Sequence, residues 1–125
     1  MRFRSRSVLT LIFTVLVLAL PASAMAAPFT SSLKAPNHSP TAGKKWYITV
    51  TATHGKSKLS GNVNYQFLFG SAVVSNQKGH SFHGGVFHDW LLFPKKSVGY
   101  SLTLRVVVKT SFGTVDLPWA IKVRA

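Results

Sequence analysis

The stretch YSLTLRVVVKTSFGTVDLPWAIKVR, from Tyr100 to Arg124, decides the fold. Apolar residues alternate on either side of Ser111-Phe112: Tyr100, Leu102, Leu104, Val106 and Val108, then Val115, Leu117, Trp119, Ile121 and Val123. A period of two predicts a β-hairpin with one buried face. Thr103, Arg105, Lys109, Thr114, Asp116, Lys122 and Arg124 fall between them, with Val107 and Ala120 the only apolar exceptions, so the other face is wet. A register that pairs Val108 with Val115 sets Asp116 diagonal to Arg105 and Lys109, where a cross-strand ion pair is expected. Pro118 has no N–H to give to a ladder, which fits a last arm at a sheet edge. A lone hairpin is marginal in water, so further strands must cover the apolar face.

Upstream the same period recurs. Trp46, Ile48, Val50 and Ala52 share one phase, with Tyr47, Thr49, Thr51 and Thr53 on the other. Val63, Tyr65, Phe67 and Phe69 alternate with Asn62, Asn64 and Gln66. Thr30 to Ala35 and Ala72 to Ser75 read as short edge strands, and Asn76-Gln77-Lys78-Gly79 as a polar loop. Between Gly79 and Phe93 apolar residues occupy both phases around Gly84-Gly85. A Gly-Gly pair between β-like runs predicts a two-residue hairpin, with His83 opposite Val86, Phe82 opposite Phe87, Ser81 opposite His88 and His80 opposite Asp89. Short strands at regular spacing, with no helix-period segment after the first 26 residues, predict an all-β sandwich of about seven strands.

The chain has 125 residues. Arg2, Arg4 and Arg6 precede an apolar run from Val8 to Leu20, followed by the small-residue patterns Ala22-Ser23-Ala24 and Ala24-Met25-Ala26. This is the pattern of a helical secretory signal peptide over residues 1–26. Residues 27–43 follow as an N-terminal segment with a short edge strand, and residues 44–125 as the main body of one domain spanning about 30–125. There is no cysteine, which excludes a disulfide scaffold and a lipoprotein anchor. Fifteen basic residues stand against Asp89 and Asp116, a formal charge of +13, and there is no glutamate. Loss of the three leader arginines would still leave a strongly cationic domain, expected to be secreted or extracellular, and held at the cell wall by charge.

Pro40-Thr41-Ala42-Gly43 before the strand from Trp46, the strand Val63 to Phe69, and Val98-Gly99-Tyr100-Ser101-Leu102-Thr103-Leu104 leading into the last hairpin carry a resemblance. They resemble bacterial secreted immunoglobulin-like or fibronectin type III-like domains across residues 30–125. The resemblance implies a single immunoglobulin-like β-sandwich and a tyrosine corner at Tyr100, whose hydroxyl would bond back to loop backbone. It brings no catalytic residues and no cofactor. The chain departs from antibody-type domains in lacking a cysteine pair and in placing Trp46 on a different strand from their core tryptophan.

Two carboxylates and no nucleophile-elbow motif argue against an enzyme. Lys44, Lys45, Lys78, Lys95 and Lys96 fall in loops that an immunoglobulin-like topology would bring to one pole. They form a candidate site for an anionic cell-wall polymer or membrane surface. Nucleic acid is disfavoured, because the aromatics fall on strand-interior phases and do not interleave with the lysines. His80, His83 and His88 form the alternative, a zinc or copper site on the Gly-Gly hairpin. Phe112 and Trp90 are candidate anchors for a protein partner, and the domain itself is expected to be a monomer. Asn37-His38-Ser39 fits the glycosylation sequon, but Pro40 follows it and it is discounted.

Overall fold

A computed structural model describes residues 26–125, so the leader reading lies outside the described residues except at Ala26. Eight strands follow in order: β1 (Thr30–Lys34), β2 (Trp46–His54), β3 (Ser57–Lys58), β4 (Gly61–Phe69), β5 (Ala72–Phe82), β6 (Val86–Leu91), β7 (Ser101–Thr110) and β8 (Gly113–Lys122). A single 3₁₀ turn, Lys95–Ser97, joins β6 to β7. The strands form two antiparallel sheets. In one, β2 is central, with β1 along one side and β6 and β3 end to end along the other. The second runs β5-β4-β7-β8.

The alternating phases decide which side chains meet between the sheets. Trp46, Ile48, Val50 and Ala52 from β2 pack with Val63, Tyr65 and Phe67 from β4 and Leu104, Val106 and Val108 from β7 in one core. Phe29 and Val123 close its ends, and the pairings of both sheets lie within Thr30–Lys122. The strand pairings and core of the described residues thus lie within residues 27–125.

The last hairpin forms in the expected register, Val108 opposite Val115, and β8 lies at the sheet edge with Pro118 opposite Arg105. The ion pair from Asp116 does not form. Gln66 of β4 lies directly opposite Arg105, and the Arg105 Nε–H donates to its Oε1 at 2.8 Å. Asp116 sits across from Val107, so the amide directly across captures the guanidinium ahead of the carboxylate on the diagonal.

The Gly84-Gly85 hairpin is also absent. β5 belongs to the sheet of β4 and β6 to the sheet of β2, so the two glycines carry the chain from one layer to the other. The Gly85 N–H donates to the Leu59 carbonyl, and the Gly85 carbonyl accepts from the Ala52 N–H. These bonds fasten the chain to β2 instead of folding it back on β5. Gly85 has φ +76°, and a Cβ there would sit 2.9 Å from Lys58 Cβ, so the crossing needs glycine. The expected facing of Phe82 with Phe87 and His80 with Asp89 survives as contact between layers, with ring centroids 6.4 Å apart in the first case.

Asn76 to Gly79, expected as a loop, is strand. β5 is one edge strand of eleven residues, and a β-bulge lets Lys78 and Gly79 oppose the single residue Asn64. The tyrosine corner is not formed. Tyr100 is half-exposed, with its ring edge-on to Phe69 at 6.0 Å, and no hydrogen bond among the described residues uses its hydroxyl. The buried tyrosine is Tyr65.

Candidate binding end and groove

Backbone bonds gather the basic residues. The Gly43 N–H donates to the Phe93 carbonyl at 2.9 Å, which sets Lys44 and Lys45 beside the Pro94–Ser97 turn carrying Lys95 and Lys96. Gly99 N–H donates to Val123 O and Ala42 N–H to Arg124 O, so Arg124 joins the same end. All four lysines are exposed. Lys78 does not join them: it lies in the β5 bulge, level with the middle of β4, because its segment extends as strand. Lys56 and Lys58 sit at the opposite end with Lys109, near the hairpin tip, where Phe112 stacks on His54 at 4.1 Å.

Beside the four lysines lies a groove of about 940 Å³. It opens between β5 and the chain leaving β6, because every residue of β5 before Phe82 is exposed while β6 ends the facing sheet. Phe67, Leu91 and Phe93 make its buried floor. Phe69, Val74, Trp90, Leu92 and Tyr100 line it and remain exposed, and Lys96 is the one charged lining residue. The Lys45 Nζ stands 4.6 Å from the centroid of the Trp90 ring, a cation–π contact that holds the tryptophan at the basic end. Tyr47 is directly opposite Trp90 on the outer face and is also exposed.

Neither carboxylate lines the groove. Asp89 points inward from β6, opposite Ile48. Its Oδ2 accepts from the Tyr65 hydroxyl at 2.7 Å, and its Oδ1 accepts from the Trp90 N–H at 2.8 Å. Burial, then this hydrogen bond, then the charge of Asp89 raise the Tyr65 hydroxyl far above the usual phenol range, so Tyr65 remains a donor at neutral pH. His80 Nε2 lies 4.0 Å from Asp89 Oδ2.

The three histidines are not brought together as a metal set. His80 faces Asp89 from β5, His83 lies in the exposed crossing, and His88 Nδ1 is 3.1 Å from Thr49 Oγ1 on the outer face of β2. No group of three metal-ligating side chains converges among the described residues. The register that would make His83 and His88 neighbours required the hairpin that the layer crossing replaces. Phe112 folds over the domain end onto His54, and Trp90 stands at the groove.

The sequence left one structural device unread. Asn37 Oδ1 accepts from the buried Trp46 Nε1 at 3.1 Å, and its backbone carbonyl accepts from Trp119 Nε1 at 3.1 Å. His38 stacks on Trp119 at 4.3 Å. This loop clasps β2 of one sheet to β8 of the other. The short polar run from Asn37 to Ser39, set between Pro36 and Pro40, was the available signal.

No known protein family matches the chain, and no curated protein matches it. An engineered protein of known crystal structure is similar at a TM-score of 0.53 and 16% identity, over 80% of this chain. The chain spans 21% of that protein's length. That likeness supports an all-β fold.

Proposed function

We propose that this protein is a secreted, non-catalytic immunoglobulin-like module, held on an anionic cell-envelope polymer through its lysine-rich end. The observation that carries this reading is the gathering of Lys44, Lys45, Lys95 and Lys96 around the Gly43–Phe93 bond, with no carboxylate lining the adjacent groove. Exposed like charges focused at one end attract a polyanion through salt-sensitive contacts. The immunoglobulin-like reading rests on the order in which the chain visits the two sheets. In that reading β1, β2 and β6 would take the places of strands A, B and E, and β4, β7 and β8 those of C, F and G. β5 stands beside β4 and leaves the place next to β6 open.

The test is retention of residues 27–125 on a phosphate-bearing cation-exchange matrix. Retention is expected to vanish as salt rises toward about 0.5 M, where screening shortens to a few ångströms. Lys95→Gln with Lys96→Gln should advance elution more than Lys56→Gln with Lys58→Gln, which remove the same charge from the other end. Equal effects of the two pairs, or retention indifferent to salt, would refute a site at the lysine-rich end.

A further inference from the structure

We infer that the groove beside the lysines is a lipid-docking element, through which the same end also docks on a bilayer containing anionic phospholipid. This rests on the reading of the lysine-rich end above as an anion-binding end and adds a second ligand to it. Of the large apolar side chains left exposed, Phe69, Val74, Trp90, Leu92 and Tyr100 line this one groove. Exposed apolar patches of this kind mark interaction surfaces, and they cost solubility unless something covers them. The composition of the patch selects the cover. Tryptophan and tyrosine place an apolar ring and a polar edge at the boundary between headgroups and acyl chains. Phe69 and Leu92, both about half-exposed, add purely apolar groups that enter the acyl region.

Charge complementarity commits the occupant. Lys96 lines the groove, Lys45 lies over the Trp90 ring, and Lys44 and Lys95 flank them. Lysine stems lie along apolar surface while their ammonium groups reach outward, so one footprint offers both apolar insertion and contact with anionic headgroups. A soluble polyanion would use the lysines and leave Phe69, Leu92 and Tyr100 in water. A bilayer uses both sets. No helix among the described residues is long and apolar enough to cross a membrane.

Vesicle co-sedimentation of residues 27–125 tests this. Vesicles with about one phosphatidylglycerol in three lipids should bind the protein, and pure phosphatidylcholine vesicles should bind it far more weakly. Phe69→Ser with Leu92→Ser should lower partitioning by roughly tenfold or more, while retention on the phosphate matrix stays as in wild type. Both side chains are half-exposed, so the core is spared. The tryptophan emission should shift to the blue on binding, and Trp90→Phe should abolish that shift. Undiminished vesicle binding by the Ser variant, or matrix retention without vesicle binding, overturns the lipid inference and leaves the polyanion reading standing. Failure on vesicles and matrix together overturns both.

Discussion

Removing the Asp89 carboxylate perturbs a charged group that the fold turns inward, onto the buried Tyr65. Tyr65 is fully buried, and its hydroxyl donates to Asp89 Oδ2 at 2.7 Å. Asp89→Ala leaves that hydroxyl without its acceptor, which costs about 1–3 kcal/mol for an unsatisfied buried polar group. Tyr65→Phe removes the donor instead. Asp89 then keeps its bond from the Trp90 N–H and its contact with His80, so the expected cost is smaller, about 1 kcal/mol. The double variant should cost less than the two singles added, with a coupling of about 1–2 kcal/mol. Urea unfolding followed by fluorescence gives the midpoints, with the slope checked for constancy. A coupling within about 0.3 kcal/mol of zero would refute the charged hydrogen bond as a stabilising element. The alkaline arm is a second readout. Because folding raises the Tyr65 hydroxyl above its ordinary 10.0, its contribution is fully present below that pH. Above it the unfolded chain loses the proton and the folded chain does not, so stability falls by about 1.4 kcal/mol per pH unit. Tyr65→Phe should flatten that decline.

Asn37→Ala strips the buried Trp46 indole N–H of its acceptor and should lower stability by about 1–2 kcal/mol, read as an earlier urea midpoint; an unchanged midpoint would dismiss the clasp. Gly61→Ala would drive a methyl group into the Lys109 carbonyl on the neighbouring strand, a backbone atom that cannot swing away, so thermal unfolding should fall by more than about 2 kcal/mol equivalent. Phe112→Ala loses the stack on His54, but the ring is nearly half-exposed, so calorimetry should register no more than about 1 kcal/mol.

The layers were legible wherever burial alone decided the pattern. Val106 and Val108 on β7 and Ile48 and Val50 on β2 face a core on one side only, so period two appears with few exceptions, such as Val107, and even the Val108–Val115 register follows. Legibility failed where the opposing layer leaves a strand open to solvent. Every residue of β5 from Ala72 to Ser81 is exposed, so no alternation marks it, and Asn76-Gln77-Lys78-Gly79 resembles a loop. Gly84-Gly85 misled for a related reason. Two glycines at positive φ suit a hairpin and a layer crossing equally, and the choice was made by the Gly85 bonds to Leu59 and Ala52, partners that no local pattern contains.

The candidate site divides along the same physical line. Lys44, Lys45, Lys95 and Lys96 lie in loops, where sequence names the charge and topology supplies the meeting, so four of the five lysines expected at one pole do gather. Lys78 misses it because its loop is a strand. The groove had no signature at all. Phe69 continues the inward phase in sequence but is turned out by the register shift between Phe67 and Leu68, Leu92 follows the end of β6, Trp90 sits on the outward phase of β6, and Tyr100 precedes β7. Each looks individually like ordinary surface exposure, which is common for single apolar residues. They become one surface only because β5 runs beyond the facing sheet and no strand fills the place beside β6. A strand engineered into that place should therefore bury Leu92 and Trp90, and it should abolish vesicle binding while leaving the lysines free to hold a soluble polyanion.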